Sequence, residues 1–499
     1  MSGNLYNAFR MDGGTRPLIL GDDGLSYDQM RAQSGRLANA LVTLGVRRGD
    51  RVAVQVEKSV AALALYLASL RVGAIFLPLN TAYTLEELAF FVGDAEPALV
   101  VCAPEIAGDV ARLPGCADRV YTLDPQGRGS LTDAAASQAP DFATLACDPD
   151  AVAAILYTSG TTGRPKGAML SHANLLSNTE ALRDAWRFTG DDVLLHALPI
   201  YHAHGLFVAC NLMMLVGGSM HFLPRFDADQ AVALLPACTA MMGVPTFYTR
   251  LLGHPALATA TRDMRLFISG SAPLLPETHR QWSERTGHAI LERYGMTETT
   301  MLTSNPYEGA RVPGSVGMPL PGVGVRISDP ETGQAQPQGE VGMIEVSGPN
   351  IFKGYWKLPE KTAEEFRDDG YFITGDLGRI DADGYLYIVG RGKDLVITGG
   401  LNVYPREVEA VIDEIPGVQE SAVIGVPHAD FGEGVTAVVV RQAEAEITEQ
   451  AIMTGLQGRL SRFKQPKRVV FLEELPRNTM GKVQKNLLRD RYRALYAKA

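Results

Sequence analysis

The run Tyr157-Thr158-Ser159-Gly160-Thr161-Thr162-Gly163-Arg164-Pro165-Lys166-Gly167 gathers hydroxyls, glycines and a fixed cation behind an apolar stretch, Ala151 to Leu156. The glycines at 160, 163 and 167 let backbone N–H groups come close to phosphate oxygens. Thr158, Ser159, Thr161 and Thr162 add hydroxyl donors, and Lys166 adds a positive charge that imposes no single geometry. This chemistry suits the polyphosphate of a nucleotide triphosphate. The run is not a Walker loop, because Pro165 stands where that pattern has glycine. A plain Gly/Ser linker is the simpler alternative, yet linkers rarely lie between a buried strand and a capped helix such as the one Ser171 opens.

Such a loop needs strands and helices to hold it. Apolar runs alternate with helical patterns over Arg51–Gln55, Ala61–Leu70, Ala74–Leu77, Leu85–Phe91 and Ala98–Cys102, which predicts α/β units on a mostly parallel sheet. Similar units recur at Val193–Leu198, Met220–Leu223, Ala240–Met242 and Arg265–Ser269. From about 323 to 390 the texture becomes short strands with turn signals, among them Asp329-Pro330-Glu331-Thr332-Gly333 and Asp381-Ala382-Asp383-Gly384. The expected architecture is α/β: a large N-terminal domain, 1–392, of α/β layers with a β-rich subdomain, and a small α+β C-terminal domain, 393–499.

Composition narrows the class. A chain of 499 residues exceeds one core, and 46% hydrophobic with 20% charged residues reads as an ordinary globular protein. Met1 to Gly14 lacks the pattern of a secretory leader, and the longest apolar run, near Leu206–Val216, is too short to span a bilayer, so a cytoplasmic protein without a membrane partner is expected. Five scattered cysteines, Cys102, Cys116, Cys147, Cys210 and Cys238, read as buried small hydrophobes. A net charge of −10 argues against general nucleic-acid binding. The tail from Leu456 to Ala499 nonetheless carries twelve Lys and Arg against three Asp and Glu, which is either a solvated basic face or an attractor of phosphates.

The opening run resembles the core signature of the AMP-forming acyl-CoA synthetases and related adenylating enzymes, and further motifs extend the resemblance across the chain. Leu291-Glu292-Arg293-Tyr294-Gly295-Met296-Thr297-Glu298 is similar to their second adenylation motif, which implies Tyr294 on adenine, Thr297 at the α-phosphate and Glu298 on Mg²⁺. Ser269-Gly270-Ser271-Ala272-Pro273 matches the segment flanking adenine and the acyl group, and Asp376 and Arg391 match the ribose contacts. The ATP site implied thus spans Thr158 to Gly163, Lys166, Ser271 to Pro273, Glu292 to Thr297, Asp376, Arg391 and Lys482. By the same resemblance Lys482, in Met480-Gly481-Lys482-Val483, bridges carboxylate and phosphate during adenylation. Thr158, Glu298 and His202 complete the catalytic set, Lys393 is the hinge, and Gly399, Gly400 and Leu401 admit coenzyme A after the small domain rotates.

The acid is read from Arg250, in Gly243-Val244-Pro245-Thr246-Phe247-Tyr248-Thr249-Arg250, a segment this family uses along its acyl pocket. A buried guanidinium needs an anion and pairs best with a carboxylate, whereas an Arg on a helix can equally face solvent. With His204 as a second imidazole after His202, the chain resembles the malonate-activating members of the family. The expectation is ATP-dependent joining of malonate to coenzyme A, with methylmalonate in range, Arg250 gripping the distal carboxylate, and His204, Ser269, Gly270 and Met301 completing the acyl pocket. A short- or medium-chain monocarboxylate ligase and a non-catalytic nucleotide sensor or scaffold are the alternatives. Acetylation of Lys482 by a lysine acetyltransferase would erase its charge.

Overall fold

The computed structural model describes residues 3–21, 24–158, 165–399, 401–428, 430–478 and 481–496. The phosphate-loop residues Ser159, Gly160, Thr161, Thr162 and Gly163, and the coenzyme A candidate Gly400, lie outside the described residues.

Two mainly parallel sheets form the N-terminal layers. One has six strands in the order Val120–Thr122, Leu99–Cys102, Arg51–Gln55, Ile75–Pro78, Val152–Thr158 and Lys166–Ser171, its last pair antiparallel. The other has nine strands and is parallel through Ser219–Phe222, Val193–His196, Ala240–Gly243, Leu266–Ser269 and Leu291–Met296. Both are held by one apolar cluster that includes Val52, Phe76 and Leu156 of the first sheet and Leu194, Met242 and Ile268 of the second. The helix Val60–Arg71 is buried at all but its first residue, which suits a helix that is apolar all round. The helix His172–Trp186 begins where expected: Ser171 caps it through Asn174 N, and Asn174 answers to Ser171 N in a reciprocal capping pair.

The change of texture after residue 323 corresponds to a four-stranded antiparallel sheet, Gly324–Ser328, Gly342–Ser347, Phe372–Ile380 and Leu386–Arg391. A five-stranded sheet follows, built from Val396–Thr398, Leu401–Val403, Val418–His428, Gly432–Arg441 and Arg468–Leu472, with its own apolar cluster around Val408, Ile412 and Val423. The five cysteines are buried and unpaired. Among the described residues no helix is long and apolar enough to cross a membrane.

Three parallel strands of the large sheet start from one clamp. Asp192 Oδ1 accepts from Arg265 Nε at 2.7 Å and from Thr239 Oγ1 at 2.6 Å, and Oδ2 accepts from Arg265 Nη2 at 2.8 Å, tying the entry ends of strands 193–196, 240–243 and 266–269. The opposite, carboxyl ends are thereby aligned, and crevices at such ends are where ligands bind in open α/β sheets. Because Asp192 is 5% exposed, Asp192→Asn strands a guanidinium and should lower stability by about 2–3 kcal/mol, read as a fall in thermal unfolding midpoint. A midpoint within a degree of the parent would show that the clamp carries no weight.

Candidate active site

The carboxyl ends of strands 193–196, 240–243, 266–269 and 291–296 converge on one buried cation. Arg293 is 3% exposed, and burial lowers its pKa to about 9. Its Nη2 reaches Ser271 Oγ at 3.5 Å, while its Nε has no hydrogen-bond partner among the described residues. Gly270 makes the space: a Cβ there would lie 2.4 Å from the Arg293 guanidinium carbon. Ser271 itself takes a left-handed backbone, φ 70°, a conformation that non-glycine residues hold at a cost and that clusters at working sites.

Two neutral imidazoles border the same space. His204 opens a π-helix, His204–Cys210, is fully buried, and shares a 3.2 Å contact between its Nδ1 and Ser271 Oγ. Its pKa is far below the ordinary range through burial, then through Arg293. His202 is pushed down to about 3 by burial, then by Lys482 and Arg293, and its Nδ1 is unpartnered. Unpaired polar atoms on His202, His204 and Arg293 in one place mark a site built for a polar guest.

A second group of residues faces the other flank of the strand 291–296. Tyr294 donates its hydroxyl to Asp376 Oδ2 at 2.5 Å, and Arg391 Nε pairs with Asp376 Oδ1 at 2.6 Å. Asp376 and Arg391 are direct cross-strand partners in the antiparallel sheet, so the register itself makes this pair. Glu298 is buried, its pKa raised by that burial, and its Oε1 stands 3.0 Å from Tyr355 Oη. Thr297 is half-buried beside it, and Met296 N donates to Thr299 Oγ1. Gly295 is required here because a Cβ would lie 1.8 Å from Thr300 O. Thr158 ends its strand by donating to Lys166 O, and Lys166 Nζ is paired to Glu365 at 2.7 Å.

The small domain supplies Lys482. Its backbone N–H donates to Asn478 Oδ1 at 3.0 Å in a tight turn whose Gly481 abuts Thr246 of the helix Pro245–Leu252. The side chain is open to the solvent of the cleft, and its amine is held below the ordinary lysine value by the protein around it, then by Arg391, with Asp376 and Glu298 opposing. Lys393 is exposed, and its neighbour Asp394 pairs with Arg489 of the C-terminal helix. Gly399 has φ 59° and donates to Phe431 O, and Leu401 is exposed on the outer hairpin.

One expectation changes in the folded chain, and the other candidates are placed beside it. Arg250 is exposed, not walled in: the helix 245–252 buries Tyr248 and Leu251, three residues apart, and this turns Arg250 outward. Met301 is buried in the strand Thr300–Ser304, its backbone tied to Asn178 and Asn350, within the apolar core. Glu292 points to Gly314 N, which donates to it at 3.2 Å, and Ser269 Oγ is buried without a partner. Ala272 is half-buried and Pro273 exposed as the chain leaves the strand. Glu365 and Tyr355 lie beyond the motifs; the signal for them is Lys166 itself, since a cation folded toward the interior gains most from an anion beside it.

The model of the AMP-binding enzyme family matches residues 9–356, and that of the AMP-binding enzyme C-terminal domain matches 407–482. The chain belongs to the AMP-binding enzyme family. It is similar to ATP-bound MatB from Rhodopseudomonas palustris, at 61% identity and TM-score 0.97 over 99% of this chain and 100% of that one. Among curated relatives, a malonate–CoA ligase of Arabidopsis thaliana is 35% identical over 480 residues, 89% of this chain and 78% of its own. A feruloyl-CoA synthase of an Amycolatopsis species is 38% identical over 477 residues, 95% of both chains.

Burial raises the Glu292 carboxyl from an ordinary 4.5 to about 8. A carboxyl whose folded value exceeds its unfolded value binds more protons when folded, so the stability it lends is full below pH 4.5 and is lost as pH rises through 8. Glu292→Gln should therefore gain thermal stability over the parent progressively between those limits. A difference that does not vary with pH would mean that Glu292 ionises freely.

Proposed function

We propose that this enzyme joins malonate to coenzyme A at the expense of ATP, through a malonyl-adenylate, releasing pyrophosphate and then AMP. The observation that carries the acid is Arg293: a buried guanidinium with no carboxylate partner among the described residues, beside Ser271, His204 and Gly270. A diacid is the substrate that would supply the missing anion while leaving a second carboxylate to react. The malonate–CoA ligase relative supports the same acid. An aromatic guest such as a feruloyl group would leave Arg293 buried and unpaired, so the likeness to a feruloyl-CoA synthase supports only the reaction class.

In the first half-reaction an oxygen of the proximal carboxylate attacks the α-phosphorus of ATP, the bond to the bridging β-phosphate oxygen breaks, and pyrophosphate leaves with that electron pair. Lys482 lies among Arg293, Arg391, Asp376 and Glu298, where its charge would stabilise the crowded negative oxygens. Tyr294 would stack on adenine, Asp376 and Arg391 would hold the ribose, and Thr158 and Lys166 the phosphates. Glu298 fits Mg²⁺, as one buried carboxylate beside a polyphosphate site, and the ion when bound would neutralise phosphate charge. His202 and His204, both neutral, add hydrogen-bonding groups to the acyl space without a competing charge.

In the second half-reaction the thiol sulfur of coenzyme A attacks the acyl carbon, its proton goes to solvent, and AMP departs with the bonding pair. Gly399 and Leu401 sit on the small domain's outer hairpin, where a rotation about Lys393 could bring them to the acyl end.

Arg293→Met should lower kcat/KM for malonate by roughly a hundredfold or more while acetate turnover changes little, since only a diacid loses a charge partner. Arg250→Ala should leave both near the parent. Equal losses on malonate and acetate in Arg293→Met would remove Arg293 from the distal site. For Lys482→Ala, acid-dependent release of pyrophosphate should collapse while thioester formation from supplied acyl-adenylate persists, and equal loss of both halves would contradict the two-step assignment.

A further inference from the structure

Lys166 is 9% exposed and closes the run that the proposed function assigns to the triphosphate, yet it already has an anion. Its Nζ lies 2.7 Å from Glu365 Oε1, a residue 199 positions later, and 4.0 Å above the Tyr355 ring. Glu365 is held in turn: Tyr355 donates its hydroxyl to Oε2 at 2.6 Å, and Lys361 Nζ stands 3.6 Å from Oε1. The same Tyr355 hydroxyl touches Glu298 Oε1 at 3.0 Å. One short network therefore joins the phosphate-loop lysine to the carboxylate that fits Mg²⁺.

We propose that Glu365 is a positioning residue that competes with phosphate for Lys166: it holds the ammonium before nucleotide binds, yields it to the polyphosphate, and reclaims it as pyrophosphate leaves. This rests on the reading of residues 157–167 as the triphosphate loop. An ammonium is a compact point charge that can pass between oxygen anions without a change of coordination geometry. Lys361 remains next to Glu365 when Lys166 departs, so the carboxylate is not left uncompensated, and the exchange costs less than breaking an isolated buried pair. A ligand whose partner group is tied up elsewhere for most of the time binds more weakly by that fraction. Glu365 thus lowers the enzyme's hold on pyrophosphate, and its loss should strengthen it, the opposite of what damage to the fold would do.

The test is calorimetric titration of the full-length enzyme with magnesium pyrophosphate. Glu365→Gln should bind pyrophosphate roughly tenfold more tightly than the parent, because Lys166 is released for the ligand. Glu365→Asp, with the carboxylate withdrawn by one methylene, should shift the same way by less and serves if the amide variant does not fold. Glu364→Gln, which removes the exposed neighbouring partner of Lys361, should bind as the parent does. In a Lys166→Ala background the gain from Glu365→Gln should disappear. Unchanged or weaker binding in folded Glu365→Gln and Glu365→Asp, with binding still dependent on Lys166, overturns the competition alone. Pyrophosphate binding that Lys166→Ala does not weaken would overturn the loop reading and the competition with it.

Discussion

A full positive charge on Arg293, folded into the interior without an anion among the described residues, sets the conditions that the rest of the cleft satisfies. Removing a guanidinium from water costs several kcal/mol unless a partner restores what solvation gave, and Ser271 alone is a poor one. The surroundings nonetheless keep it there. Gly270 leaves room for the guanidinium, Ser271 accepts a left-handed backbone, and His202 and His204 stay neutral instead of adding like charge. Under the proposed function, the partner of this cation arrives as ligand.

The sheet and the small domain serve that arrangement from opposite sides. The Asp192 clamp gathers the entry ends of three parallel strands, so their carboxyl ends, with the loop after His196, Val244 and Ser269, lie side by side. The small domain then contributes Lys482, a third cation beside Arg293 and Arg391, with Asp376 and Glu298 as counterweights. Phosphate and carboxylate oxygens are drawn to such a mixture, and each bound anion relieves a repulsion already present. The Lys166–Glu365 pair shows the same balance kept at rest by an internal carboxylate.

Much of this was legible in the sequence, and what was legible was local. The capped helix at Ser171 and the strands at 51–55 and 240–243 follow from short patterns whose residues act within one turn or one strand, whereas Tyr294, Asp376 and Arg391, from two different sheets, are reached only through the family resemblance. The choice between Arg250 and Arg293 was not legible in the same way. Arg250 has the right neighbours in sequence, but tertiary packing of Tyr248 and Leu251 decides which flank of its helix is buried. Arg293 carried a signal of its own, since alternation along a strand places it on the face of Leu291 and Gly295, where a charge is unexpected. Glu365 lies 199 residues from its partner, beyond the reach of any spacing rule.

The assignment of the acid turns on where the distal carboxylate comes to rest. A crystal structure of the enzyme with a non-hydrolysable malonyl-adenylate mimic locates it directly. The account predicts that carboxylate about 3 Å from the Arg293 guanidinium nitrogens, with Ser271 or His204 as a further donor. A distal carboxylate turned to solvent or toward Arg250, with Arg293 still unpaired, would contradict it.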